Sequence, residues 1–257
     1  MELTHQLTPM LRTLRLSGIL ETLEVRNRQA VEQQSSFVEF LTTLVHDEVE
    51  RRAQSKLRSR LRRAAFDPTK TLEGFDFSFN PKLNKAQLFD LATCAFIERH
   101  ENVLIYGPTG VGKSHVSQAL AHEACRRGHE VLFINTTKML THLAGGRADG
   151  THEQRLARYT RPALLVLDDF GLKALRAPGP EDLYDVINER YEKASIVLTS
   201  NRDRSEWLEL FGEALLASAA LDRLTHGAHF VEITGPSFRA EHTKKPLTAQ
   251  RRANTGS

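Results

Sequence analysis

The chain has 257 residues, enough for one large domain or for one domain with an appendage. A hydrophobic share of 40% and a charged share of 26% suit a soluble globular protein; no apolar run approaches the ~18 residues of a membrane span, and the opening MELTHQLTPM lacks a basic and an apolar signal region, so a cytoplasmic protein without a membrane partner is expected. The net charge of +3 is unevenly spread, with 12 basic against 9 acidic residues in 1–70, 18 against 22 in 71–238 and 5 against 1 in 239–257, which suits an acidic polymer gripped by the ends of the chain.

Residues 1–66 read as a small all-α N-terminal domain. Leu7, Leu11 and Leu14 recur at helical spacing up to a break near Ser17-Gly18, and a second short helix carries Leu20 and Leu23. Ser36-Phe-Val-Glu39 has the pattern of a capping box, opening a longer helix whose apolar positions Phe37, Phe40, Leu41, Leu44 and Val45 belong to the core of a bundle. That helix ends in RRAQSKLRSRLRR, seven basic residues (Arg51, Arg52, Lys56, Arg58, Arg60, Arg62, Arg63) and no acid. On a helix, Arg52, Lys56, Arg60 and Arg63 share one side beside an apolar stripe of Ala53, Leu57, Leu61 and Ala64. The run is a candidate DNA-binding surface, with a solvated face or a contact with a partner protein as the lesser alternative.

Residues 67–83, containing Pro68 and Pro81, read as an extended linker, and 84–239 as an α/β domain. A first helix places Leu88, Phe89, Ala92 and Phe96 on one face. Strand-like runs at 103–106, 131–134, 163–167, 195–199 and 230–233 then alternate with helical patterns, at Val116, Leu120, Ala121 and Ala124 and near 136–143, 181–193 and 203–225. Several of these strands are apolar throughout, the mark of a parallel sheet covered on both faces. GGRADG (145–150) and RAPGP (176–180) read as loops, Pro9, Pro162 and Pro236 as element ends, and 240–257 as a basic, disordered tail with Lys244, Lys245, Arg251 and Arg252.

The chemistry concentrates in three stretches. Gly107-Pro108-Thr109-Gly110-Val111-Gly112-Lys113-Ser114 fits G-x-x-x-x-G-K-[ST] between a strand and a helix, the context that motif requires. Backbone N–H groups of such a bend and the start of the following helix face phosphate oxygens. Lys113 is then suited to the β- and γ-phosphates and Ser114 to Mg2+, which makes ATP with Mg2+ the expected cofactor and this stretch, with the following His115, the candidate binding loop. Asp168-Asp169 closes an apolar strand 55 positions after Lys113. Asp168 suits the metal and Asp169 the attacking water. Thr199 and Asn201 end the next strand, within hydrogen-bonding reach of a γ-phosphate or its water, although Asn201 equally suits an ordinary turn.

Other residues carry less. Cys94 and Cys125 have no metal-like spacing and read as buried free thiols; the eleven histidines form no metal-ligand pair; Trp207 and Phe211 read as packing; and Glu101 reads as surface. A P-loop small-molecule kinase would need an acceptor pocket and an arginine-rich lid, which neither loop supplies. A GTPase would need N-K-x-D after the acidic pair, and none follows.

LIYGPTGVGKSH, LLVLDDFG, IVLTSNR, LDRLTHGAHFVEITGPSFR and the upstream TLEGFDFSFNP together resemble the IstB family of helper ATPases of bacterial insertion sequences, and more distantly the helicase loader DnaC. The resemblance spans residues ~1–240. It implies an AAA+ P-loop core and a slow, Mg2+-dependent ATPase that forms a homo-oligomer on duplex DNA and assists a transposase, with loading of a replicative helicase as the alternative. It further implies that Lys113, Asp169, Asn201 and Arg223 carry hydrolysis, Arg223 as a finger reaching a neighbouring subunit with Arg239 as a second candidate. Phe75 and Phe77 would pack beside the adenine. The glutamate usual in AAA+ proteins is here Asp169, one methylene shorter. Only 18 residues follow Arg239, so no C-terminal lid is expected and the site is open for a neighbour to complete.

Overall fold

The computed structural model describes residues 2–80, 83–238 and 240, which form two compact units, 1–60 and 61–257. The basic tail beyond 240, Arg239 and Pro81 lie outside the described residues.

The first unit is helical. α1 (Glu2–Thr13) runs through Pro9, which therefore does not mark an end: a proline removes one backbone hydrogen bond, and the helix continues past it. α2 (Ser17–Glu32) is longer than the expected short helix. The break at Ser17-Gly18 is its start, and Gly18 is required by proximity, because a Cβ there would lie 2.8 Å from Glu48 Cα. Glu48, 6% exposed, reaches that helix start and accepts the N–H groups of Gly18 (2.6 Å) and Ile19 (3.3 Å). α3 (Phe37–Ala64) opens on the expected capping box: Ser36 N–H donates to Glu39 Oε2 at 2.7 Å, and Glu39 N–H to Ser36 Oγ at 3.3 Å. Leu11, Ile19, Leu23 and Leu44 form the core. The apolar stripes are wider than this core, for Leu7, Leu14, Phe37, Leu41 and Val45 are exposed.

The second unit holds a five-stranded parallel sheet ordered β2-β3-β4-β1-β5, from β1 (Val103–Tyr106), β2 (Val131–Asn135), β3 (Leu164–Phe170), β4 (Ser195–Ser200) and β5 (His229–Glu232). Before it, α4 (Lys85–Ala92) and α5 (Ala95–Glu98) replace the single expected helix, because Cys94 takes a left-handed φ of 62° between them. Leu88 and Leu91 face the core, whereas Phe89 is half exposed and stacks on Phe77. α6 (Lys113–Arg126) follows β1, and α7 (Thr136–Asp149) follows β2. GGRADG is not a loop: its first five residues complete α7 and Gly150 caps it. Gly146 is a glycine within that helix because the next helix, α8 (His152–Thr160), presses on it, with His152 Cα 2.9 Å from where a Cβ would stand. α9 (Gly179–Arg190), two 3-10 turns at 204–206 and 208–210, and α10 (Ala214–Thr225) complete the layers.

Leu104, Leu165, Leu167, Ile196, Leu198, Met139, Leu183 and Trp207 are central to the main core, with Phe211 beside them. Cys94 and Cys125 are buried free thiols, and burial pushes the Cys94 thiol up to about 11. Arg190, 1% exposed, donates to the carbonyls of Tyr159 (2.9 Å), Pro162 (2.8 Å) and Ser195 (2.6 Å), and burial brings its pKa down to about 9. One buried guanidinium thus joins the end of α8 to the starts of β3 and β4.

Candidate nucleotide site

The site lies where an open parallel sheet offers one, past the carboxyl ends of β1, β3 and β4. After β1 the chain bends through Gly107–Gly112 into α6. Gly107 has φ 141° and a Cβ there would stand 2.0 Å from the Ile233 carbonyl oxygen, so no other residue fits; Gly110, at φ 88°, is pressed equally closely by Ser237 Oγ. Lys113, 6% exposed, folds back so that Nζ donates to the carbonyls of Gly107 (2.8 Å) and Pro108 (2.6 Å).

Below the loop, the first residue of the acidic pair meets the first turn of α6. Ser114 Oγ donates to Asp168 Oδ1 at 3.0 Å. Both acids lie inside β3 instead of following it, and the register of β3 on β4 slips between Leu167 and Phe170. Burial raises the Asp168 pKa and the Asp169 charge adds to that, against hydrogen bonds from Thr199 and Ser114 that lower it. Asn135 Nδ2 donates to Asp169 Oδ2 at 3.1 Å. Thr199, expected to face a phosphate, is 1% exposed and bonds to the acids instead.

A cavity of about 460 Å3 opens above these groups, of a size for a nucleotide. Thr109 through His115 line it, together with Asp169, Asn201 and an aromatic cluster. Phe75, Phe79 and Phe238 belong to that cluster; Phe77 does not line the cavity but stacks on Phe89 at 5.9 Å with Lys85 Nζ 5.0 Å from its ring. The reason is local: 67–80 is a chain of tight turns, not an extended linker, held by Asp67, Thr71 and Asp76 side chains. His115 fastens it, with Nε2 donating to the Thr71 carbonyl at 2.9 Å and its ring edge-on to Phe75. Phe238 N–H donates to the Gly110 carbonyl at 3.0 Å, so the segment after β5 returns over the loop. Sequence pattern does not single out Phe79, Asn80 or Phe238, for the alternation Phe75, Phe77, Phe79 would put all three on one face of an extended run, and it is the turns that set Phe77 apart.

Arg223 is elsewhere. It lies on α10, Nη1 donating to the Ala219 carbonyl at 3.0 Å, its guanidinium 5.4 Å from the Tyr184 ring, and it lines a separate small cleft with Tyr191 and His226. Of the basic run, Arg51 pairs with Glu21 at 2.9 Å and also reaches Ser17 Oγ, Arg52 pairs with Glu48 at 2.6 Å, and Arg63 with Glu130 at 2.8 Å; Lys56, Arg58 and Arg62 are exposed. Glu101 is half-buried and accepts from His229 at 2.8 Å.

Contrary to the sequence expectation, one histidine does join a cluster with ligand-like spacing: His152, Asp182 and Asp185 bring candidate atoms within 4.8 Å of one another. Arg147 already supplies the positive charge there, donating to Asp182 Oδ1 from Nε (2.9 Å) and Nη2 (2.6 Å). No helix among the described residues is long and apolar enough to cross a membrane.

Residues 9–246 match the family model of the IstB-like ATP binding protein. An ATP-binding protein in an insertion sequence of Mycobacterium tuberculosis is 45% identical over 230 residues, 89% of this chain and 92% of its own length. The insertion sequence IS21 ATP-binding protein of Pseudomonas aeruginosa is 36% identical over 241 residues, 94% of this chain and 91% of that one. Among solved structures, the replication initiator DnaA bound to AMPPCP and single-stranded DNA aligns with a TM-score of 0.54 at 25% identity, over 67% of this chain and 52% of that one, so the chain spans about half its length. DnaI aligns with a TM-score of 0.54 at 21% identity, over 66% of this chain and 95% of that one, a likeness of fold. The parallel sheet, its phosphate loop and these relatives agree: the chain belongs to the IstB-like ATP-binding protein family of insertion sequences and carries an AAA+ P-loop core.

Proposed function

We propose that the protein is an ATP-dependent, DNA-binding helper of transposition that forms a homo-oligomer on duplex DNA and assists the transposase of its insertion sequence, with ATP hydrolysis controlling assembly and disassembly. The observation that carries the ATPase reading is the meeting of Ser114 Oγ and Asp168 Oδ1, 3.0 Å apart, beneath a loop whose next neighbours in the cavity are Asp169 and Asn201. In this reading Lys113 leaves the Gly107 and Pro108 carbonyls for the β- and γ-phosphates, and loop N–H groups hold the rest. Ser114 and Asp168 offer hard oxygen donors side by side, a set that fits Mg2+, and would hold it; the ion's part is to neutralise charge on the phosphates. Asp169 orients the attacking water, Asn201 contacts the γ-phosphate, and Arg223 of one subunit serves the site of the next. Phe75, with Phe79 and Phe238, packs on the adenine.

The DNA side rests on other observations. Residues 1–66 form the partner-binding domain and 84–239 the ATPase domain in this reading, joined by the adenine-side segment 67–83. The basic run 51–63 supplies phosphate contacts, and the relatives' names attach them to insertion sequences. The exposed apolar face of α3, with Phe37, Val38, Leu41 and Val45, favours a protein partner as well, so a loader of a replicative helicase is the alternative.

The test is ATP turnover by the full chain with and without duplex DNA at low salt, with Lys113→Ala as the blank. Severalfold stimulation by DNA is expected. Equal rates in both would overturn the DNA-coupled reading in favour of the protein-loading one.

A further inference from the structure

Two adjacent residues of a regular strand point to opposite faces of its sheet, so Asp168 and Asp169 cannot both serve one site from an undisturbed β3. The strand is disturbed at that point. Its register with β4 slips between Leu167 and Phe170, and Asp169 takes a left-handed φ of 58°, a conformation that favours glycine. The result is that Asp168 meets Ser114 of the phosphate loop while Asp169 lines the cavity above the same loop. Something must hold this irregular backbone in place, since a residue keeps an unfavourable dihedral only where its surroundings over-determine it.

One hydroxyl group on the neighbouring strand bonds both acids at this point. Thr199 Oγ1 accepts the Asp169 backbone N–H at 3.0 Å and donates to Asp168 Oδ1 at 2.5 Å. It thereby replaces the ladder partner that the slipped register takes from Asp169 N–H, and at the same time fixes the carboxylate of the other acid. Thr199 is 1% exposed and is not among the residues that line the cavity, so its hydroxyl is turned to the acids. From the β2 side, Thr136 Oγ1 donates to the Asp168 carbonyl at 3.0 Å and Asn135 Nδ2 to Asp169 Oδ2 at 3.1 Å, but neither touches the Asp169 N–H or the Asp168 carboxylate.

We infer that Thr199 is a positioning residue for ATP hydrolysis: its hydroxyl holds the bulge that turns both carboxylates of the acidic pair onto the phosphate loop. This rests on the ATPase reading above and assigns it a residue that lies outside the cavity lining.

The experiment uses the full chain with Thr199→Val and Thr199→Ser. Valine keeps the branched shape that suits a buried strand but can neither accept from Asp169 N–H nor donate to Asp168; serine keeps the hydroxyl. For Thr199→Val we expect kcat for ATP to fall by at least about tenfold with KM within about twofold of wild type, and Thr199→Ser to recover most of it. Binding of a fluorescent ATP analogue without Mg2+ should be unchanged in both, while the tightening that Mg2+ brings to wild type should be lost in valine and kept in serine. Wild-type kcat in Thr199→Val would overturn the proposal, as would an equal drop in Mg2+-free binding and turnover that serine does not restore. If the wild type itself hydrolyses nothing, the ATPase reading fails, and the Mg2+ dependence of binding still decides on Thr199.

Discussion

Lys113 and Arg223 show how differently a single residue can be tied to the site. The Lys113 ammonium is already engaged, 6% exposed and bonded to two carbonyls of its own loop, so a triphosphate gains its charge by exchanging neutral acceptors for anionic ones. Lys113→Ala should weaken ATP binding by at least about tenfold without altering the thermal transition by much, because the loop carbonyls it leaves are close to solvent. Arg223 has no such access: within its own chain it sits over Tyr184 in a different cleft. Any part it plays at the nucleotide site would therefore require a second subunit. Arg223→Ala should bind nucleotide within about twofold of wild type and lose turnover. Mixing it with Lys113→Ala should restore part of the activity, since each subunit would supply what the other lacks. Wild-type turnover by Arg223→Ala alone would rule out the finger role.

At the level of elements, the packing of the start of α2 on the middle of α3 carries the first unit. Glu48 gives the N–H groups of Gly18 and Ile19 an acceptor in a place where Gly18 lets α3 come close. Burial opposes its charge, but Arg52 and these N–H groups prevail and hold its pKa below the ordinary carboxylate value. Glu48→Ala leaves those donors and Arg52 without their acceptor and should destabilise the helical unit by about 2 kcal/mol, read by thermal melting. Next to it, Arg26 grips Asp47 through two hydrogen bonds of 2.8 Å and holds its carboxyl down at about 2, from an ordinary 3.8. Its folded pKa lies below its unfolded one, so this pair's contribution is complete above about pH 4 and is lost as pH falls towards 2; Asp47→Asn should flatten the melting curve's dependence on pH in that window. Such contacts mark the boundary of what the sequence makes legible. The capping box at Ser36, the alternation of strands and helices, and the phosphate loop are local patterns with fixed spacing, and each stands where the spacing puts it. GGRADG misled because a glycine pair signals a loop locally, whereas here it admits α8 against α7. The pairing of Phe79 with Phe238, and the second task of Thr199, depend on a neighbour more than a hundred residues away or across a slipped register, which no local pattern records.

For the whole molecule the question is where an acidic polymer would be held. The middle of the chain, 71–238, is acidic by four charges and the first 70 residues are basic by three, so the field favours the N-terminal end over the ATPase core. The basic run is not uniform within that end. Arg51, Arg52 and Arg63 are committed to Glu21, Glu48 and Glu130, and drawing them away would expose acids, whereas Lys56, Arg58 and Arg62 are exposed on α3. Phosphate contacts should therefore come from the second set. Every phosphate that a basic side chain neutralises steepens the fall of log affinity with log salt by about 0.9, so a Lys56→Ala, Arg58→Ala, Arg62→Ala triple variant should flatten that slope by up to about 2.7 for any duplex sequence, while leaving the melting temperature unchanged. Arg52→Ala should do the reverse, lowering the melting temperature with little change in slope, because its partner Glu48 is the acceptor for the start of α2. Anisotropy of a labelled duplex between about 50 and 200 mM salt separates the two. An unchanged slope in the triple variant would move the DNA contacts off α3, and the exposed apolar face beside it would then be the stronger reason for this helix to meet a partner.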